Sequence, residues 1–492
     1  MNPGNIKRRT LLVGTAAYIG IIAFDPLRKV WITDAKAQSN HSIAIPNLEG
    51  QLLLDPESLA AVADDFGHII QKTPIAVLKP RSQEDIAKII RYANRMGINV
   101  TMRGQGHTTY GQAQVKAGVV IDSQTLNKIH HITSKKVVVD AGVLLLDLLK
   151  ATLAQGLTLK VFTDYLGLSV GGLLQVGGIG GHTQHFGFFA DNVLEVQAIL
   201  GKGLPTVCSS TKQPRLFNSL LGGLGQFGII TQATLPLIPA PSHARVYQLS
   251  YTSLNQYLTD QNRAVKEGQF NYLEGQVVPN PSGTGWTYLL EAASYYTPPQ
   301  VPSDSALLKN LNPDSGTTIS EFSYFDWQNR LAPVVAQLQA SGVWEFPHPW
   351  IDLFIPNNQV KSYINAVLQN LTPTDVNGPI LLYPFLRSKL TRPFIKTPKD
   401  DIIYLFSVLR TAPPDPTVVN AMVTANRALF EQARNQGGKS YRISAFPFTK
   451  EDWVQHFDES WQAFQQQKAS LDPQNILTPG QGIFENTNKV ET

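Results

Sequence analysis

An α+β fold of two domains is what this sequence predicts, and three observations predict it. A length of 492 residues exceeds what one ordinary hydrophobic core serves. Short β-branched segments alternate with amphipathic helical ones over residues 74–240. A Pro-rich stretch, PLIPAP at 236–241, then separates that region from a second one at 241–440 that is richer in aromatics.

The elements follow in order. Residues 46–69 read as an entry segment with one short helix, and 74–78 (PIAVL) as a strand. Ser82 caps the next helix, with Asp85 three residues on, where a capping box has Glu or Gln. Ile86, Ile89, Ile90 and Ala93 form the apolar face of that helix, and Gly97 ends it. Residues 98–102 read as a strand, as do 118–121 and 137–139, and 144–155 as a helix closed by Gly156. Beyond 241, strands at 288–290 and 404–409 lie among longer amphipathic helices. The closing stretch 471–484 (LDPQNILTPGQGIF) reads as a docked tail.

The first 37 residues belong to targeting rather than to the fold. Lys7, Arg8 and Arg9 precede an apolar run at 11–24, too short for a membrane span, and Ala35-Lys36-Ala37 forms a cleavage site. The Arg8-Arg9 pair resembles a twin-arginine signal, so a periplasmic or extracellular location is expected. This segment holds six Lys/Arg against two Asp, and the remainder balances at 35 of each sign. Net charge therefore supports no nucleic-acid or membrane partner. Cys208 is the only cysteine, which excludes an internal disulfide and a cysteine-rich metal centre. His182, His185, His348 and His456 lack the spacing of a metal site, so none is expected.

Three Gly-rich stretches carry the chemistry. In 102–112 (MRGQGHTTYGQ) a turn follows a strand and ends in His107. Its glycines let backbone N–H groups approach an anionic ligand, and His107 stands at the rim with a nucleophilic ring nitrogen. A phosphate nest beside a poised imidazole suits a flavin dinucleotide held by a histidyl link. Thr163-Asp164-Tyr165 leads into 170–181 (VGGLLQVGGIGG), and 221–231 (LGGLGQFGIIT) is the third. Each is also compatible with a packed loop, and Asp164 with a turn residue. The full Rossmann fingerprint is lacking, since no G-x-G-x-x-G opens a helix after the first strand with an acid about 20 residues later.

Taken together these segments resemble the cytokinin dehydrogenases, within the flavoprotein group that includes vanillyl-alcohol oxidase. RGQGHT resembles that family's RGRGHS, and TDYLGLSVGGLL its TDYLYLTVGGTL. FNYLEG, PHPWIDLFIP, GPILLYPF and ILTPGQGIF have counterparts in the same order, so the likeness spans about residues 50–485. It implies a PCMH-type FAD-binding domain at 50–240, completed by 441–492, and a substrate domain of antiparallel sheet flanked by helices at 241–440. It implies that Met102, Arg103, Gly104, Gln105 and Gly106 cradle FAD, that His107 bonds to it covalently, and that Thr108, Gln112, Asp164, Ser169, Gln175, Ile179, Ile230, Tyr441 and Gln481 contact it. Asp164 falls on the general base, Glu274 on an acid that binds an adenine ring, and Trp350 and Tyr383 on the substrate pocket wall. A base working near neutral pH is expected to have its pKa raised by burial.

The chain departs from the pattern at Gln105, Thr108, Gln175-Val176, Asp352 and Arg442-Ile443. The implied reaction is oxidative removal of the isoprenoid side chain from an N-alkyl adenine, with a quinone or oxygen as electron acceptor and a monomeric enzyme. Two alternatives stay open. One is an oxidase of sugars, lactones or aromatic alcohols; the other is a non-catalytic exported flavin- or purine-binding protein. No cysteine lies near 165–169, which argues against a flavin attached through both His and Cys.

Overall fold

The computed structural model describes residues 21–25, 30–33, 44–280 and 285–484. The basic residues and cleavage site of the expected export signal lie outside these, as do 485–492; of the first 37 residues only the paired strands Ile21–Asp25 and Val30–Thr33 are described.

The helix that Ser82 caps forms as its sequence predicts, with one change. Ser82 accepts from the Asp85 N–H and Gly97 closes the helix at φ +65°, Gln83–Met96 lying between them. The Asp85 carboxylate does not complete a capping box. It instead accepts from the backbone N–H groups of Glu49 (2.8 Å), Gly50 (2.9 Å) and Arg81 (2.9 Å). A helix-start residue thereby fastens the entry segment beside the strand Ala76–Lys79.

That strand belongs to a four-stranded sheet with Gln51–Leu53, Val119–Asp122 and Val100–Arg103, in which Val119–Asp122 pairs in parallel with both of its neighbours. A second sheet of five strands is wholly antiparallel and runs Pro205–Ser209, Glu195–Leu200, Gly228–Pro236, Lys136–Asp140, Ile129–Ile132. Val137, Val139, Val196, Ile230 and Ala233 from this sheet pack against Leu145, Leu148 and Leu149 of the helix Leu145–Leu153 and against Val170 and Leu174. Each large aliphatic side chain so buried contributes about 1.5–3 kcal/mol.

Residues 243–440 form an eight-stranded antiparallel sheet in the order Gly316–Ser323, His243–Tyr251, Trp286–Tyr296, Tyr272–Pro279, Ile380–Leu386, Ile402–Val408, Ile351–Pro356, Lys439–Ser440. Alternation assigns its faces. Leu353, Phe406, Leu382 and Val277 join a core with Tyr257 and Leu258 of the helix Leu254–Glu267, Tyr363 and Ile364 of Asn357–Leu368, and Phe430 of Pro416–Asn435. The opposite parity, including Asp352, Phe354, Tyr383 and Leu405, faces the other way, and that face lines the site described below.

The tail docks as expected. Val100 exchanges backbone hydrogen bonds with Ile476 and Thr478 at 2.8 Å each. Its anchor is a buried ion pair: Lys468 Nζ donates to Asp472 (2.8 Å), to the Leu477 carbonyl and to the Gln226 carbonyl (both 3.1 Å). Lys468→Met removes one charge and leaves the other dry, so unfolding free energy is expected to fall by about 3–5 kcal/mol in a denaturant titration. A loss below about 1 kcal/mol would mean the carboxylate is satisfied by its backbone donors alone.

Candidate active site

The first Gly-rich turn leaves the strand Val100–Arg103 in a conformation that only glycine permits at one point. Gly106 has φ +66°, and a Cβ there would sit 2.2 Å from the guanidinium carbon of Arg103. That guanidinium donates to the Asp64 carbonyl at 2.6 Å. Arg103 thus braces the turn from behind and does not line the cavity, contrary to the expectation that it cradles a cofactor. Asp65 braces it from another side, accepting from Thr108 Oγ1 and the Gly111 N–H (2.7 Å each) and from the Gly67 N–H (3.2 Å). Burial pushes the Asp65 carboxyl up to about 6, with the Thr108 and Gly111 hydrogen bonds opposing.

His107 sits in an aromatic box. Ring centroids of Phe66, Tyr165, Trp350 and Trp344 lie 4.0, 5.1, 5.7 and 6.1 Å from its own. Burial, reinforced by neighbouring His348, lowers its pKa to about 3. The imidazole is therefore neutral at any physiological pH and keeps a nucleophilic nitrogen.

The remaining glycine stretches meet this turn. Ser169 caps the helix Val170–Val176 and lies so close to Gly104 that a Cβ there would be 2.2 Å from its hydroxyl. Gln175 accepts from the Gly225 N–H at 2.9 Å, which ties the second stretch to the third. Tyr441 accepts from the Gly178 N–H at 3.1 Å, and Gln112 donates to the Ser444 carbonyl at 3.3 Å. These segments enclose a cavity of about 660 Å³. Of the residues expected at the site, Met102, Gly104, Gln105, Gly106, His107, Thr108, Gln112, Asp164, Ser169, Gln175, Ile179, Ile230, Glu274, Trp350, Tyr383, Tyr441 and Gln481 all line it. A wider surface groove of about 920 Å³ around Arg387, Lys396 and Lys399 contains none of them.

Two carboxyls, Asp164 and Glu274, meet in this cavity, and an arginine that sequence reasoning missed sets their charge. Arg330 donates to Asp164 at 2.8 Å and lies 3.7 Å from both Glu274 and Glu291. Its guanidinium carbon stacks 4.3 Å from the Trp327 ring centroid and 4.8 Å from that of Tyr272, whose hydroxyl donates to Asp164 at 2.7 Å. Burial alone would raise the Asp164 pKa, as expected from the sequence. The Arg330 charge and the hydrogen bonds from Glu274, Tyr272 and Arg330 outweigh it, and the net shift is downward. Burial and the charge on Asp164 drive Glu274 the other way, well above the usual carboxyl range. Within the pair the negative charge is favoured on Asp164 and the proton on Glu274.

The cavity fits a large polar ligand. Glu274 Oε1, Trp350 Nε1, Asp352 Oδ2 and Gln481 Oε1 are buried and lack a hydrogen-bond partner among the described residues, although all four residues line it. Buried polar atoms are normally paired, so several orphans around one cavity mark where a ligand's polar groups belong. Gly104 and Gly106 supply the close backbone approach a dinucleotide needs. Among the described residues no cluster of metal ligands occurs, and no helix is long and apolar enough to cross a membrane.

A flavin cradle built from three glycine stretches, closed by an antiparallel substrate sheet, defines a two-domain FAD-dependent oxidoreductase. The fold is shared with 6-hydroxy-D-nicotine oxidase from Arthrobacter nicotinovorans, at a TM-score of 0.70 and 21% identity over 88% of this chain and 98% of that one. The FAD binding domain model matches residues 74–209, and the model for cytokinin dehydrogenase 1, FAD and cytokinin binding, matches 280–484. An oxidoreductase of the fasciation locus of Rhodococcoides fascians is 39% identical over 87% of this chain and 97% of its own. Cytokinin dehydrogenase 2 of Arabidopsis thaliana is 33% identical over 91% and 97%. The chain belongs to the cytokinin dehydrogenase family.

Proposed function

We propose that this protein oxidatively removes the isoprenoid side chain of N-alkyl adenines, yielding adenine and an aldehyde. The observation that carries the reading is the division of charge between Asp164 and Glu274 around Arg330, in the same cavity as His107. Ionised Asp164 accepts the proton of the substrate's exocyclic amine as the adjacent C–H bond breaks. Glu274, whose proton is engaged by Asp164, turns its free Oε1 to accept a hydrogen bond from a purine N–H. Arg330 keeps the two states apart, and the apolar walls from Trp327, Trp350 and Tyr383 exclude water and align the amine. Bound FAD supplies the two-electron sink for the departing hydride, which a quinone or oxygen then empties. Water hydrolyses the resulting imine outside the constellation.

The neutral His107 ring supports a covalent histidyl link to the flavin, and the Arg8-Arg9 signal supports export of the loaded protein to the periplasm or beyond. Oxidases of sugars, lactones or aromatic alcohols have no use for an acid placed to read a purine edge. The test is anaerobic mixing of the purified yellow protein with isopentenyladenine. Bleaching of the flavin with stoichiometric release of adenine is expected; an unchanged spectrum at millimolar ligand would overturn the assignment.

A further inference from the structure

The eight-stranded sheet presents two rows of side chains to the cavity. Register places Gln276, Leu381, Ser407 and Asp352 side by side on four adjacent strands, and Leu405 with Tyr383 in the next row toward Glu274. All of these residues line the cavity. At about 4.8 Å per strand, Asp352 stands three strands, or about 14 Å, from the Glu274 strand. Beyond the Glu274 strand the cavity is lined by Phe322, which is 38% exposed, whereas Ser407, Tyr441 and Leu405 around Asp352 are all buried.

Asp352 is an expensive residue at such a place. It is 5% exposed, sits among Phe354, Tyr383 and Leu405 on its own face, and has no cation within salt-bridge distance among the described residues. Ser407 donates to its Oδ1 at 2.6 Å, and the backbone of Asp352 is held separately through Ser444 and Tyr441. Its Oδ2 has no partner among the described residues. Burial raises the carboxyl to about 7, with the Ser407 hydrogen bond opposing, so near neutrality it exchanges a proton and can donate or accept. The backbone contacts already position the strand, and nothing in the packing calls for a carboxyl there.

We propose that Asp352 and Ser407 form a polar subsite at the closed end of the cavity, which binds a hydroxyl at the far end of the substrate's side chain. This rests on the N-alkyl adenine reading above. Asp352 is a specificity-determining residue: it contributes nothing to proton removal at the amine, and it favours a hydroxylated tail over a hydrocarbon one. A site whose buried polar group expects a hydroxyl discriminates against the analogue lacking it, because that group is then left unpaired.

The test compares isopentenyladenine with its analogue bearing a terminal hydroxyl, using the flavin-loaded enzyme and its Asp352→Asn and Asp352→Leu variants. The unsubstituted enzyme is expected to prefer the hydroxylated substrate at least tenfold in kcat/KM. Asp352→Asn keeps part of that preference. Asp352→Leu abolishes it, bringing the kcat/KM ratio of the two substrates to within about threefold of unity, and leaves Tm equal or higher, since an unpaired buried carboxyl is removed. A preference unmoved by Asp352→Leu overturns the subsite, as does a falling Tm with both substrates slowed equally, which is the mark of a structural role. If both adenines are turned over in the unsubstituted enzyme, either result leaves the proposed reaction standing. If neither reduces the flavin, the reaction and the subsite fall together.

Discussion

Asp164→Asn is expected to slow flavin reduction by N-alkyl adenines about 10²–10⁴-fold, the usual span for a general base, while leaving flavin content and spectrum unchanged. The substitution keeps the shape of the side chain and the hydrogen bond from Tyr272 (2.7 Å in the native protein), so the cavity stays intact. It removes the one carboxylate that Arg330 holds ionised. The pH dependence separates this role from a merely structural one. Because the Asp164 pKa is lowered, the base is already ionised above the ordinary aspartate range, and the acid limb of the rate profile is expected well below neutrality. Loss of the Arg330 charge in Arg330→Met lets burial prevail, which moves that limb upward toward neutral pH. A change in the reduction rate of less than about threefold in Asp164→Asn would remove Asp164 from the chemistry and return the protein to a binding role.

The local elements were legible because their signals are local. Ser82, the Ile86–Ile90 apolar face and Gly97 lie within one helix, and that helix forms. The glycine stretches were legible for the same reason, since each makes its own turn. Asp85 shows where this stops: its spacing matches a cap, but three backbone donors from residues 49, 50 and 81 compete for the carboxylate and win. Arg103 reads as a cofactor ligand from its place in the turn, yet the Asp64 carbonyl captures it. Arg330 carries no local signal at all. It reaches Asp164 from 166 residues away, and its importance arises only when the sheet brings Glu274 and Glu291 to the same point. The direction of the Asp164 shift was misjudged for that reason: burial can be guessed from sequence, whereas a cation supplied by tertiary structure cannot. Asp352 was visible only as a departure from a resemblance, and its isolation from any cation became apparent with the fold.

His107→Ala is expected to leave the acid-precipitated pellet colourless, with the flavin recovered in the supernatant, and the native protein is expected to keep its yellow colour through denaturation. The argument begins with the aromatic box. Among the described residues Phe66, Trp344 and Trp350 surround the imidazole and no carboxylate pairs with it, and burial beside His348 holds it neutral down to about pH 3. A neutral ring nitrogen is the species able to bond the electron-poor dimethylbenzene edge of a flavin; a protonated one is not. Such a bond withdraws electron density from the cofactor and raises its potential. Its loss should therefore make substrate oxidation less favourable by a factor of about ten for every 30 mV of lowering, as well as releasing FAD on dialysis. Stability gives an independent readout. A cofactor that can dissociate stabilises only by mass action, so the Tm of His107→Ala should rise with added FAD, whereas that of the native protein should be indifferent to it. Alanine also vacates space among the rings, and His107→Gln restores much of the volume without the nucleophile. Colour retained in the precipitate of His107→Gln would place the attachment on another residue, and colour released from the native protein would show the cradle alone to hold the flavin.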